Sequence, residues 1–323
     1  MNPNRRDFLA LGVGALAVAT LPRALRRPDR LVRRQIPVMG TVAEIAVRHP
    51  DEAWAQRGMD AAFAELRRVD AAMSCFKGDS EVGRLNGLAG RSGLAVSDDT
   101  ADVLTAGLRW AEASDGRFDP CLGNVCALWH VGTRAAPPAP GELEEVGRGN
   151  RFAALEVERG RSVARAALTS RAAAVDLGGI AKGYGVDLAA RALRDHGLFN
   201  ALVNVGGDLV AMGVDEHDDP WRVGVRSPEH LNDVVEVIHV SDRAVATSGD
   251  YLQYFQHGGR RYHHLMDPTT GEPRRTSMRS ITVEAATCMD ADAAATALFG
   301  VAGSTAAEIL GRGAPGARIA HSV

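Results

Sequence analysis

The 323-residue chain is long enough for one large domain or two small ones, and its 46% hydrophobic and 24% charged residues are the balance of a soluble globular protein. A formal charge of -3 leaves no electrostatic footprint for nucleic acid, and 5% aromatic residues provide no base-stacking platform. The four cysteines (Cys75, Cys121, Cys126, Cys288) form neither C-x-x-C nor a zinc pattern; they read as buried thiols, with a Cys121–Cys126 disulfide the alternative in an oxidising compartment.

In chain order, Asn4-Arg5-Arg6-Asp7-Phe8-Leu9 precedes a weakly hydrophobic Gly/Ala-rich run over 11–21 and resembles a twin-arginine export signal. The run is short for a bilayer span; the alternative is an N-terminal helix with a basic tip. On the export reading, 1–29 is a targeting segment, 30–323 is one domain, and the mature chain is periplasmic without a membrane span.

Residues 35–48 alternate apolar side chains about Met39-Gly40-Thr41, a strand broken at the glycine. Residues 51–73 carry Met59, Phe63, Leu66, Val69 and Met73 at helical intervals, with Asp51 as N-cap. A polar, glycine-rich surface loop is expected over 74–91, then a helix from Ser97. Pro137, Pro138 and Pro140 make 134–141 a rigid connection. A strand pair follows over 152–168, turning at 159–161. Further strands are predicted over 201–212, broken at Gly206-Gly207-Asp208, and over 221–226, 234–240, 244–251 and 281–285; 262–273 is a compact turn segment. A helix over 290–299 and a final helix, Gly-Pro turn and strand close the chain. The class is α+β, a sheet covered by helices, without the strict alternation of a doubly wound domain.

The chain is organised around Asp176-Leu-Gly-Gly-Ile-Ala-Lys-Gly-Tyr-Gly-Val-Asp187. The small apolar run 171–175 before it is predicted as a buried strand, and 186–193 after it has helical spacing. A glycine turn opening a helix lets backbone approach a bulky anion while free N–H groups point at it. Lys182 adds positive charge, and Asp176 stands at the strand end. A diphosphate suits such a loop; a tight turn with packing glycines is an equal alternative. Neither Rossmann nor Walker spacing is present.

Asp292 and Thr296 lie four apart on the predicted C-terminal helix and share a face. Carboxylate and hydroxyl are hard oxygen ligands suited to Mg²⁺, and the alanines around them let a bulky group approach. The alternative is an N-cap carboxylate with an incidental threonine. His263-His264-Leu-Met-Asp-Pro268 sets a histidine beside a turn, as base, ligand contact or structural side chain. Gly206-Gly207-Asp208 after Asn204 is a further glycine-rich strand end, or a bulge.

Taken together and in order, Met39-Gly-Thr41, Ser80-Glu81 with Leu85-Asn86, Phe118-Asp-Pro120, the Asp176–Tyr184 stretch, Asn204-Val-Gly-Gly-Asp208, Thr247-Ser-Gly-Asp250, His264-Leu-Met-Asp-Pro268 and Ala291-Asp-Ala-Ala-Ala-Thr296 resemble the ApbE-type FAD:protein FMN transferases. The resemblance implies an ApbE-like, T-fold-related single catalytic domain with a mixed sheet covered by helices. It implies Mg²⁺-dependent transfer of FMN from FAD to a Ser or Thr of an acceptor protein, with AMP released. It further implies metal ligands Asp292, Thr296 and the carbonyl of Gly179; FAD contacts at Met39, Phe76, Phe118, Asp119, Asp176, Lys182, His264 and Leu265; and catalytic roles for His264 and Asp292. Phe76 stands where many members carry a phenol, and position 182 varies between Lys and Glu across the family. No acceptor motif occurs in this chain, which points to a donor enzyme. Other readings are an FAD pyrophosphatase giving FMN and AMP, a non-catalytic FAD-binding maturation factor for a periplasmic respiratory enzyme, and a flavin-dependent oxidoreductase.

Overall fold

A computed structural model describes residues 16–18, 30–230 and 232–323. The export-like segment, 1–29, lies outside them except for Leu16–Val18, which pair antiparallel with Trp221–Arg226.

The strand expected around Gly40 is a hairpin. Met39 (φ 54°) and Gly40 (φ 70°) take consecutive left-handed positions, the turn that matches the twist of two antiparallel strands. Its arms, β1 (Arg30–Val38) and β2 (Thr41–His49), pair from Val38↔Thr41 to Arg30↔His49. Gly206 and Gly207 repeat the device between β3 (Ala201–Val205) and β4 (Asp208–Met212). With β5 (Arg243–Gly249), β6 (Ser280–Ala285) and β7 (Arg318–Ser322), they form one sheet in chain order, every ladder antiparallel.

Between β2 and β3 the chain builds six helices: α1 (Glu52–Met73), α2 (Glu81–Gly87), α3 (Asp98–Ala113), α4 (Gly123–Trp129), α5 (Pro140–Val146) and α6 (Ala181–Asp195). A small sheet, Leu94–Val96, Ala164–Leu168 and Leu155–Arg159, belongs to the same excursion. Two short hairpins lie between β5 and β6; α7 (Cys288–Leu298) and α8 (Gly303–Gly313) lie between β6 and β7. Asp51 caps α1, accepting the Trp54 N–H at 2.9 Å, and the predicted stripe Met59, Phe63, Leu66, Val69 and Met73 is buried.

The sheet has two covered faces. On one, Ile45, Val47 and Val203 pack against Phe63 of α1 and Val186 of α6. On the other, Leu202, Leu209 and Val245 pack against Trp221, Val223, Val225 and Ile238 of a small sheet. These three layers are the expected α+β class.

Two local expectations are overturned. The loop over 74–91 contains α2: the Ser80 hydroxyl accepts the Gly83 N–H at 2.8 Å, and Val82 and Leu85 enter the core. The strand expected over 171–175 does not form; only Ala174 makes an isolated bridge, to Leu122. Its backbone finds partners outside any ladder. The Val175 N–H donates to Asn86 Oδ1 at 2.7 Å, Asn86 Nδ2 donates to the Val175 carbonyl at 2.9 Å, and the Asp176 N–H donates to the Pro120 carbonyl at 2.8 Å. A side-chain amide does here what a neighbouring strand does elsewhere. The four cysteines are unpaired thiols.

Candidate active site

One cleft of about 360 Å³ collects the motifs. Its rim takes Met39 and Thr41 from the β1–β2 turn, Gly206 and Asp208 from the β3–β4 turn, and Thr247 and Ser248 from the end of β5; Phe118, Asp176, Gly178 and Gly179, Lys182, His264, Asp292 and Thr296 complete the wall. Most arrive from turns or the ends of strands and helices, and Asp292 and Thr296 from one face of α7, so rigid scaffolding holds residues that the chain keeps far apart.

At the floor, Lys182 on the first turn of α6 lies between two acids. Its ammonium donates to Asp208 Oδ2 and stands 3.2 Å from both oxygens of Asp292. The Gly183 N–H donates to Asp292 Oδ2 at 3.1 Å. Desolvation works against the Lys182 charge, but Asp208 and Asp292 outweigh it and hold the amine above the ordinary lysine value. Burial, reinforced by Asp208, pushes the Asp292 carboxyl up to about 7 against the pull of Lys182. Burial raises Asp208 as well. Two buried carboxylates share one ammonium, an excess of negative charge that a cation or a proton relieves.

The glycine turn meets α7 directly above. A Cβ on Gly179 would lie 2.7 Å from Thr296 Oγ1, so only glycine brings that backbone against the threonine hydroxyl. Ser248 Oγ is 3.5 Å from the same oxygen. A Cβ on Gly183 would strike the Cys288 carbonyl, so α6 and α7 cross in close backbone contact. Among the described residues, no three His, Cys, Asp or Glu side chains form a metal cage. The donor set instead suits a hard divalent ion held by one carboxylate, a hydroxyl and a backbone carbonyl, with water and substrate phosphate completing it.

His264 forms part of the wall, and its Nδ1 is 3.4 Å from the Gln253 carbonyl. Burial holds its imidazole down at about 4, so at neutral pH the ring is uncharged. The carboxylate of Asp119 turns to its own chain, accepting N–H groups of Arg151 at 2.6 Å, Cys121 at 2.8 Å and Phe152 at 3.3 Å. Burial pushes the Cys126 thiol up, with nearby Asp176 adding to it, so it is no nucleophile.

The sequence profile described as the ApbE family matches residues 39–318. The chain belongs to the ApbE family. A Vibrio cholerae protein named FAD:protein FMN transferase is 33% identical over 289 residues, covering 88% of this chain and 86% of its own. A Treponema pallidum protein of the same name is 35% identical over 277 residues, covering 81% and 76%. Among solved structures, the ApbE protein of Thermotoga maritima superposes with a TM-score of 0.77 at 30% identity, covering 87% of this chain and 90% of that one. The flavin transferase ApbE of Vibrio cholerae gives 0.76 at 32% identity, covering 88% and 91%.

In this ApbE-family chain the cleft brings together Met39, Phe118, Asp119, Asp176, Gly179, Lys182, His264, Leu265, Asp292 and Thr296. Phe76 is the predicted site residue it leaves out: the ring is 89% exposed and lines no part of the wall. Sequence reasoning missed Arg117, Ser248 and Arg274 on the wall, and Asp187 behind it. Asp187 lay in plain view inside the organising stretch, but its partners are backbone amides over a hundred residues away.

Proposed function

We propose that this chain transfers FMN from FAD to a Ser or Thr hydroxyl of a separate acceptor protein, releasing AMP. The observation that carries the proposal is the convergence of the Gly178-Gly179 turn with Asp292 and Thr296 in a cleft whose buried acids outnumber its ammonium. The family's named transferases supply the substrate class.

In the mechanism, the acceptor oxygen forms a bond to the flavin-side phosphorus, and the bond from that phosphorus to the oxygen bridging to AMP breaks. His264, on the cleft wall, is the side chain placed to accept the hydroxyl proton as the bond to phosphorus forms. The glycine turn admits the diphosphate at backbone distance. Gly179, Asp292 and Thr296 would hold Mg²⁺, which when bound supplies Lewis-acid charge to the phosphoryl oxygens. Lys182, paired with the floor acids, keeps one positive charge beneath the site. Met39, Phe118 and Leu265 offer apolar wall to the flavin and adenine rings.

The test is direct. The chain from residue 30, incubated with FAD, Mg²⁺ and an acceptor bearing a flavinylation motif, gives a flavin-fluorescent acceptor band on a denaturing gel, and Asp292→Ala abolishes it. Free FMN and AMP formed equally with and without acceptor would replace the transferase reading with the pyrophosphatase one. The periplasmic location is proposed on the Arg5-Arg6 segment. Replacing both arginines by lysine should retain a tagged full-length chain in the cytoplasm; unchanged export sinks that reading.

A further inference from the structure

α7 carries both side chains proposed to hold the cation, and it is held at each end by a charged residue from another segment. At its start, Asp187 of α6 accepts the Cys288 N–H at Oδ1 (2.8 Å) and the Met289 N–H at Oδ2 (2.9 Å). These are first-turn amides, which have no acceptor within their own helix. At its end, the Arg274 guanidinium donates through Nη1 to the carbonyls of Thr296 (2.8 Å), Ala297 (3.3 Å) and Phe299 (2.8 Å). The same side chain reaches the Met266 carbonyl through Nε at 3.1 Å and the Arg117 carbonyl through Nη2. An anion at the N-terminus and a cation at the C-terminus match the helix dipole at both ends. Desolvation draws the Arg274 pKa down to about 10, the cost of burying a guanidinium on carbonyls.

Between its ends α7 is also held by polar contacts, Asp290 accepting from Arg109 and from Trp110 Nε1 (3.0 Å) and Asp292 meeting Lys182 and the Gly183 N–H, but its apolar flanks add little axial grip. Ala291, Ala293, Ala294, Ala295 and Ala297 are all buried, and alanine ridges are too shallow to resist axial sliding well. On the α6 side the close contact at Gly183 adds no interlocking side chain beyond the Lys182 and Gly183 contacts to Asp292.

We propose that Asp187 and Arg274 are positioning residues that fix α7 along its axis against the Gly178-Gly179 turn, and so set how tightly Asp292 and Thr296 hold a divalent cation. This inference rests on the cation reading given above. Both residues act through the helix ends, and both should behave as outer partners of a metal site, whose loss lowers affinity about tenfold or more.

The probe is Mn²⁺, titrated by electron paramagnetic resonance into the FAD-free full-length chain. Wild type binds, Asp292→Ala does not, and Asp187→Ala and Arg274→Lys each bind at least about tenfold more weakly. Asp187→Asn, which keeps one acceptor oxygen, falls between, and it stands in should Asp187→Ala fail to fold. In turnover, the metal concentration for half-maximal rate rises in parallel, and for Asp187→Ala, which lies behind the cleft wall, kcat at saturating metal stays within about twofold of wild type. Folded variants that melt at lower temperature yet bind Mn²⁺ as wild type does would reduce both residues to structural caps and overturn the inference. A wild type that binds no Mn²⁺ removes the cation reading, and this one with it.

Discussion

Lys182 is the residue whose setting says most about its work. A lysine at the head of a glycine-turn helix reads as a phosphate contact, yet its ammonium is engaged by Asp208 and Asp292. Removing it strands two buried acids, and breaking such a pair costs about 3–5 kcal/mol. Lys182→Met should therefore lower the unfolding free energy in urea by that order, with part recovered in millimolar divalent cation. His264 gives a pH signature. Its folded pKa, about 4, lies below the ordinary 6.5, so between those values the unfolded chain binds a proton that the folded chain refuses. The stability from its neutral burial is complete above about 6.5 and is lost as pH falls toward 4. His264→Gln should flatten that part of the stability–pH curve and slow transfer about 10²–10⁴-fold at neutral pH. Asp292 and Thr296 were legible in the sequence because helical spacing alone puts them on one face. The partners of Lys182 were not, since Asp208 follows a hairpin turn and Asp292 lies 110 residues further on.

At the scale of elements, the glycines of the organising stretch divide their labour. Gly179 admits Thr296 to the turn, and Gly183 admits the carbonyl end of Cys288 between two helices. Gly183→Ala must push α6 and α7 apart, an overpacking expected to cost about 1–3 kcal/mol, or roughly 2–5 °C in melting temperature. Gly179→Ala meets only the short Thr296 side chain. It should cost less melting temperature than Gly183→Ala while lowering transfer activity more sharply, a contrast that one thermal scan and one gel assay measure. The sequence left two readings of these glycines, phosphate cradle or packing turn; separate glycines within the stretch serve the second reading at least. The misread strand over 171–175 has a physical source as well. Its composition fits a strand, but Asn86 supplies the hydrogen bonds that a ladder would, and no local pattern announces a side chain arriving from another helix.

For the molecule as a whole, the two faces of the main sheet separate stability from function. The cleft is built at the turns and on the α6–α7 side, whereas Trp221 is wholly buried on the opposite face, its indole N–H donating to the Met212 carbonyl at 2.9 Å. Trp221→Ala should cost about 3–5 kcal/mol of stability while leaving KM for FAD and kcat per folded molecule unchanged. A helix-covered sheet and the general class were readable from periodicity and glycine placement. The long-range pairing was not, because β2 and β3 are neighbours in the sheet but stand on either side of residues 50–200.

That separation has a consequence for biosynthesis. The cleft draws on Met39 near one end of the chain and Thr296 near the other. A ribosome must deliver almost the entire polypeptide before the cleft can be assembled, so a chain cut short of Thr296 lacks one wall of it.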